Sequence, residues 1–330
     1  MNPSLKQLGE HGLIEVLRRY ERAHPGVIAG IGDDAAVLTG RPGFRTLLAT
    51  DMLVEGVHFL PGTDAYALGR KAMAVNLSDI AAMGGRPTFA VVSLGVPPAA
   101  SARDIQRLYE GMSEEGASFG AAIVGGDTVR APVLTINVAL MGEVEEARVL
   151  LRSGARVGDR ICVTHRLGDA AAGLLLLKRP DLHVPDDTRT RLLQKHLRPT
   201  PRVDAGRELS RGLATAAIDL SDGLAGDLHR LCAASQVGAV IDVAQLPISD
   251  DVRRVAAAAG LDPVELALNG GEDYELLFTT PSFRVGSHVL PGSGTPCTVI
   301  GEIVDASRGV LLRRPDGELQ PLPAGGYQHF

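Results

Sequence analysis

The stretch Lys71-Ala-Met-Ala-Val-Asn-Leu-Ser-Asp-Ile-Ala-Ala-Met-Gly-Gly85 most restricts how this chain can fold. Its alanines, leucine and methionines favour a helix, and apolar residues fall on nearly every face, so the helix is predicted to lie buried. Asn76 and Asp79, three positions apart, would share one face of it. An ionised carboxylate in that setting is costly without a cation or several donors. Among nearby basic residues, Lys71 stands two turns back and Arg86 lies beyond the Gly84-Gly85 break. Two arrangements satisfy the pair: a bound metal ion, or a neutral Asn–Asp hydrogen bond inside the core.

At 330 residues the chain is long for one core, and two domains are expected. A hydrophobic content of 45% with 22% charged residues fits a soluble globular protein rather than a disordered one. The net charge of −6 argues against a nucleic-acid partner, whose binder would be basic. Cys162, Cys232 and Cys297 are far apart and show no CxxC or zinc-like spacing, which suggests reduced thiols and a cytoplasmic setting. The first residues lack an apolar signal core and no segment approaches membrane-spanning length, so no membrane partner is expected.

Around the central stretch, strands and helices alternate. Residues from about Ser4 to Arg22 carry Leu5, Leu8, Leu13, Val16 and Leu17 at helical spacing. Gly30-Ile-Gly-Asp-Asp34 is a glycine–acid turn running into a short apolar run, and Thr46–Asp51 reads as a buried strand ending in a carboxylate. Strands are expected over Phe89–Val96, Ala121–Asp127 and Val133–Val144, with a helix capped by Ser101 and running to Phe119. A break near Glu145–Ala147 divides the chain into residues 1–146 and 147–330. The second part reads as strand Arg160–Thr164, helix Ala170–Lys178, polar loop Pro180–Thr190, then helices at Arg191–His196 and Val203–Arg211. Ala217–Leu224 feeds a helix through Leu231, and strands near Ala239–Val243, Glu275–Thr279, Thr298–Val304 and Val310–Arg313 complete a two-domain α/β (α+β) chain. Asn76-Leu-Ser-Asp79 followed by Gly125-Gly-Asp127 is echoed by Asp219-Leu-Ser-Asp222 followed by Gly270-Gly-Glu-Asp273. The echo is weak as a sign of duplication and stronger as a sign of one shared site.

Carboxylates recur at strand ends and glycine turns: Asp33, Asp34, Asp51, Asp79, Asp127, Asp219, Asp222, Glu272 and Asp273. Any one of them suits an Asx turn or an N-cap, and Asp33 and Asp273 fit that role well. Nine such residues all capping turns is less economical than several converging on hard cations. Oxygen-only ligands favour Mg²⁺ or Ca²⁺ over zinc, and magnesium shared with substrate phosphates is the usual arrangement for phosphoryl transfer. The chain has no G-x-x-x-x-G-K-[ST] loop, no protein-kinase H-R-D or D-F-G set and no G-x-S-x-G elbow. With lysines scarce, a triphosphate here would be neutralised by metals and glycine-turn amides.

On these residues the chain closely resembles the thiamine-monophosphate kinase family, of the superfamily that includes aminoimidazole ribonucleotide synthetase and selenophosphate synthetase. The resemblance runs over nearly the whole chain: Gly30-Ile-Gly-Asp-Asp34, Thr50-Asp51, Gly56-Val-His-Phe59, Ala74–Gly84, Gly125-Gly-Asp-Thr128, Leu151-Arg-Ser-Gly154, His196-Leu-Arg-Pro199, Ile218–Gly223, Gly270–Glu275 and Gly326-Tyr327. It implies ATP-dependent, magnesium-assisted phosphorylation of thiamine monophosphate by direct in-line transfer. It also implies an N-terminal domain whose sheet pairs across a homodimer axis and a C-terminal α/β domain closing over the site. By position, Asp34, Thr50, Asp51, Asp79, Asp127, Asp219 and Asp222 would be metal ligands, with Asp79 bridging more than one ion. Gly126, Asp127, Arg152 and Ser221 would contact ATP, while His58, Glu272 and Tyr327 would face thiamine phosphate. One departure is Ala49, where some members have Ser, so any metal contact there would use the backbone oxygen.

Without the resemblance, His58 reads as a core histidine on a strand, Arg152 as a surface charge and Tyr327 as part of a frayed end. The alternatives in function are another ATP-using member of the superfamily or a non-catalytic ATP-binding regulator. A selenophosphate-forming enzyme would carry a reactive Cys near its N-terminus, and a hydrogenase-maturation dehydratase would end in Cys. This chain does neither.

Overall fold

The computed structural model describes residues 27–29, 33–283 and 286–327. The helix expected over Ser4–Arg22 and the Gly30–Gly32 part of the first turn lie outside the described residues. The first sheet draws on β1 (Val27–Ala29), β2 (Ala36–Thr39), β3 (Phe44–Val54), β4 (Arg86–Val96), β5 (Ala122–Arg130) and β6 (Thr135–Glu145), in the order β1-β2-β3-β6-β4-β5. Helix α1 (Ala65–Ala82) joins β3 to β4, and α2 (Ala102–Ser118) is the crossover between β4 and β5, which pair in parallel. The other pairings in this sheet are antiparallel.

The second sheet follows the order β14-β13-β9-β12-β7-β10-β8, with β11 added on β12. Its strands are β7 (Arg160–Thr164), β8 (Ala216–Asp219), β9 (Gly238–Asp242), β10 (Leu276–Thr280), β11 (Ser287–Val289), β12 (Pro296–Val304), β13 (Val310–Arg313) and β14 (Leu319–Pro321). The helices of this half are α3 (Asp169–Lys178), α4 (Asp186–Leu197), α5 (Val203–Leu209), α6 (Leu224–Ser235), α7 (Asp250–Ala259) and α8 (Pro263–Asn269). Helix α4 begins inside the stretch expected to be a polar loop. Asp186 and Asp187 of that stretch sit in its first turn, and Lys195 in its last, where they complement the helix dipole. Helices α7 and α8 had no counterpart among the expected elements. Both are locally specified, by the Ser249 cap with a left-handed Gly260 stop, and by the Asp262 cap with Pro263 in the first turn.

Helix α1 is the sequence's central stretch and occupies the centre of the fold. Asp64 caps it by accepting from Ala67 N–H at 2.9 Å, and Gly84, at φ +72°, follows its last turn. Met73, Leu77, Ile80 and Met83 are fully buried in a core that also takes in Leu47, Val92 and Leu140 of the first sheet and Ala217, Leu276 and Phe278 of the second. Each such side chain contributes roughly 1.5–3 kcal/mol by leaving water. Against α2 the packing is backbone-close: a Cβ on Gly69 would lie 2.0 Å from Leu108 O, and one on Gly111 would lie 2.1 Å from Tyr66 O. The helix is therefore held between two sheets, with little room to move relative to either.

Among the described residues, the first sheet has one face on α1 and one face uncovered. On β3, Leu47, Ala49 and Leu53 point inward, while Leu48 and Met52 point out, as the period of two requires. The register lines up Phe89, Met141 and Leu48 across β4, β6 and β3. All three are outward, with exposures of 52%, 41% and 42%. Val91 and Val124 extend this apolar surface towards the β5 edge.

Candidate active site

Between the sheets opens a cavity of about 1470 Å³, lined from both halves of the chain. Three carboxylates meet on its floor. Asp34 comes from the turn ahead of β2, Asp79 from the last turn of α1, and Asp219 from the end of β8, with one oxygen of each within 4.8 Å of the others. Burial and the charges of Asp51, Asp219 and Asp34 push the Asp79 carboxyl well above the usual range. Burial and the Asp34 charge do the same for Asp219. Such mutual repulsion is what a hard cation would relieve.

Each acid is set by its neighbours. Ser78 Oγ donates to Asp219 Oδ2 at 2.7 Å. Arg152 donates to Asp34 from Nη2 at 2.6 Å and from Nε at 3.3 Å. Asn76 does not bond Asp79. Its Oδ1 accepts the Asp51 backbone N–H at 2.9 Å and its Nδ2 donates to Ala72 O, so it ties α1 to β3 beside the acids. The neutral Asn–Asp pair is thereby replaced by two separate roles. Lys71 does not reach Asp79 either, because its Nζ lies 2.7 Å from Glu272 Oε1. Asp33 accepts the N–H groups of Asp34 and Arg152, and Asp273 accepts those of Gly168 and Ala170 at the start of α3, so both act as turn and cap residues.

The remaining expected residues divide. Ala49, Thr50, Asp51, His58, Arg152, Ser221, Asp222, Glu272 and Tyr327 all line the same cavity. The Thr50 hydroxyl is used within the sheet, donating to Val138 O and accepting from Asn137 Nδ2. Asp222 is paired with Arg230, which also holds the buried Asp227. Tyr327 is not a loose end: its N–H donates to Asp222 O at 3.0 Å. The preceding Gly326 has φ +103°, and a Cβ there would lie 2.6 Å from Asp222 O, so a side chain is excluded. Gly126 and Asp127 stand apart from the cavity lining. They are exposed on β5, and Asp127 is in register with Ser93 on β4. In sheet order β5 is three strands from β3, about 14 Å at the usual strand spacing.

The motifs assigned no site role to several participants, although His196 and Ser78 lie within them. His196 lies on α4 with Nδ1 3.1 Å from Glu272 Oε2, and Ser78 and Arg230 hold acids of the site. A lysine inside an otherwise apolar helix was the available signal for Lys71. Nothing local distinguishes Arg230 from a surface charge.

Comparison with known proteins shows the family. The AIR synthase related protein N-terminal domain matches residues 32–144, and the C-terminal domain of the same family matches residues 156–313. The thiamine-monophosphate kinase of Escherichia coli strain K12 is 42% identical over 98% of this chain and 98% of its own length. That of Bacillus subtilis strain 168 is 37% identical over 98% of this chain and 100% of its own. The solved structure of AaThiL complexed with AMPPCP and TMP superposes with a TM-score of 0.88 at 36% identity, covering 100% of both chains. The chain belongs to the thiamine-monophosphate kinase family of AIR synthase related proteins.

Proposed function

We infer that the protein phosphorylates thiamine monophosphate to thiamine diphosphate, using ATP as co-substrate. The observation that carries this reading is the convergence of Asp34, Asp79 and Asp219, from three distant segments, on the floor of one large two-sided cavity. A relative of the same fold, AaThiL, was solved with AMPPCP and TMP together. Incubation with ATP, Mg²⁺ and thiamine monophosphate, with products resolved by chromatography, tests it directly. Thiamine diphosphate and ADP should form in equal amounts, and ATP loss without thiamine diphosphate would refute it.

The site residues fit magnesium: all donors are oxygens, and the clustered acids repel one another until a cation arrives. We assign Asp34, Asp51, Asp79, Asp219 and Asp222 to that role, with Asp127 and Thr50 as outer candidates. Bound there, magnesium would neutralise the phosphates and relieve their repulsion during transfer. The acceptor is already a phosphate anion, so the chain needs no general base to activate it. The work of the protein is then to align two anions in line. We assign Arg152, beside Asp34, and Ser221 to ATP, and His58, Tyr327 and the Glu272 loop to the acceptor; all of them line the same cavity.

His58 has a defined part in this. Its Nδ1 accepts the Val54 N–H at 3.0 Å, so a neutral ring carries its proton on Nε2. That nitrogen is a donor, suited to a phosphate oxygen rather than to nucleophilic attack.

We further propose a homodimer in which the uncovered faces of two first sheets pack together. The exposed row Phe89–Met141–Leu48 with Val91 and Val124 supports it, as an apolar face of this extent is rarely left in water. Such a pairing offers a way for β5 of one copy to bring Gly126 and Asp127 to the cleft of the other, which they cannot reach within their own protomer. We take residues 1–146 as the metal- and ATP-binding dimerisation domain and 147–330 as the domain that closes the cleft. The three cysteines are free and buried, which suits a cytoplasmic protein, and among the described residues no helix is long and apolar enough to cross a membrane.

A further inference from the structure

Lys71 and His196 lie outside every role assigned so far, yet they are among the most deeply buried polar groups in the chain, at 2% and 3% exposure. They come from two different helices, α1 and α4. Both close on one carboxylate: Lys71 Nζ lies 2.7 Å from Glu272 Oε1, and His196 Nδ1 lies 3.1 Å from Glu272 Oε2. With each oxygen engaged by a different helix, the Glu272 side chain cannot rotate freely. It still shows an edge to the cavity, with 22% of the side chain exposed.

The backbone at this point is unusual. Glu272 has φ +68° and Tyr274 has φ +48°, the left-handed region that side-chain-bearing residues avoid unless their surroundings impose it. The surroundings here are the Leu220–Asp222 segment. Glu272 N–H donates to Ser221 O at 2.7 Å, and Tyr274 N–H donates to Leu220 O at 2.9 Å. The Gly270–Tyr274 loop is thus laced to the turn that carries Ser221 and Asp222, and Glu272 is its side-chain anchor. A buried ion pair is seldom the cheapest way to stabilise a core, since apolar residues of similar volume often do as well. Its retention here, on a strained loop facing the cavity, has a geometric use.

We propose that Lys71 and His196 are positioning residues that lock Glu272, and through it the Gly270–Tyr274 loop, into the shape that receives thiamine monophosphate. This rests on the reading of the cleft given above. Burial works to raise the Glu272 carboxyl, but Lys71 and His196 outweigh it and hold the group down to about 2, in keeping with an ion pair that is permanently made. His196 is itself pushed down by burial and by Lys71, so it serves as a neutral partner. Glu272 therefore presents a fixed wall with its charge already answered, rather than a bare anion.

Kinetics on the full-length enzyme separate this role from a merely structural one. Lys71→Met strands a buried carboxylate, and should lower the melting temperature and raise KM for thiamine monophosphate about tenfold, with KM for ATP within about twofold. Lys71→Met/Glu272→Gln removes both charges. It should recover most of the melting temperature while KM for thiamine monophosphate stays high. Recovery of both stability and KM in the double variant would reduce the pair to structure and overturn the proposal. So would equal rises in both KM values, or no rise in either variant. Wild-type protein inert towards thiamine monophosphate would instead defeat the reading of the cleft, and this inference with it.

Discussion

Ser78 Oγ and Asp219 Oδ2 are 2.7 Å apart, although 141 positions separate them in the chain. Ser78 is on the central helix and Asp219 ends a strand of the second sheet, so this one hydrogen bond registers the two halves where the acids converge. Both side chains are shut away from solvent. The neighbour of Ser78, Asp79, presents its carboxylate to the cleft. One helix turn therefore positions one acid and supplies another.

Ser78→Ala should cost about 1–3 kcal/mol, because it leaves a buried carboxyl oxygen without its donor. Because the hydroxyl holds the Asp219 carboxyl down against burial, its loss should also favour protonation at the expense of metal. The magnesium concentration for half-maximal activity should rise severalfold. Thermal melts and a magnesium titration check both effects.

Asp79→Asn should lower kcat by more than about a hundredfold, since even outer-shell partners of metal sites are worth tenfold to a hundredfold. Without metal, the variant should melt at or above the wild-type temperature, because the repulsion from Asp51, Asp219 and Asp34 is removed with almost no change in volume. Near-normal turnover at saturating magnesium would remove Asp79 from the site.

The local features of this fold were written in local sequence. Strand Arg160–Thr164, the Ser101 cap and the buried stretch through Ile80 are set by side-chain pattern within a few residues, and the structure places them as expected. Pairing between distant strands was not so written. Asp127 has the same glycine–acid signature as Asp34, but the strand order puts β6 and β4 between β3 and β5. The partnership of Lys71 with Glu272 likewise depends on which loop folds over α1, and no motif spacing encodes that. Helices α7 and α8 had legible caps but lay between strands of a sheet whose order, again, only the fold reveals.

Stability without metal should fall as pH rises from about 5 to 8. Burial, reinforced by Asp34, lifts Asp33 to about 7, and burial lifts Asp227 to about 7 and Asp273 to about 8. Asp79 and Asp219 are also raised, by burial and by the charges of neighbouring carboxylates. Groups with raised folded values bind more protons when folded, so their stability is present at low pH and is lost as pH climbs through those values, by about 1.4 kcal/mol per pH unit for each proton. Glu272, held down to about 2, acts in the opposite sense, and its contribution is lost as pH drops below about 4.5. Melting temperature in EDTA should therefore peak near pH 5, and added magnesium should raise it more at pH 8 than at pH 5.5.

Phe89→Lys and Val91→Glu should each yield monomers by light scattering at micromolar concentration, since both residues sit on the uncovered apolar face and each copy would meet the same charge in its partner. Melting temperature should change little because neither side chain is part of the protomer core. Activity should fall with the dimer if Gly126 and Asp127 act across the interface. A dimer that survives both substitutions would place the subunit contact elsewhere.

Transfer should occur in a single displacement. The acceptor phosphate is a nucleophile as it stands, and His58, the histidine assigned to hold it, has its Nδ1 lone pair committed to Val54 N–H. A phosphorylated His58 would have to attack through Nε2, which carries the proton in that tautomer, so the ring would first have to surrender it. Chiral γ-thiophosphate in ATP should accordingly give inverted configuration at phosphorus in the product. γ-Labelled ATP without acceptor should leave no label on the protein. His58→Asn keeps a polar group near the Nδ1 position but removes the Nε2–H donor, so it should raise KM for thiamine monophosphate several times while kcat stays within about threefold. Retained configuration, together with a kcat that collapses in His58→Asn, would make this histidine the nucleophile of a two-step reaction.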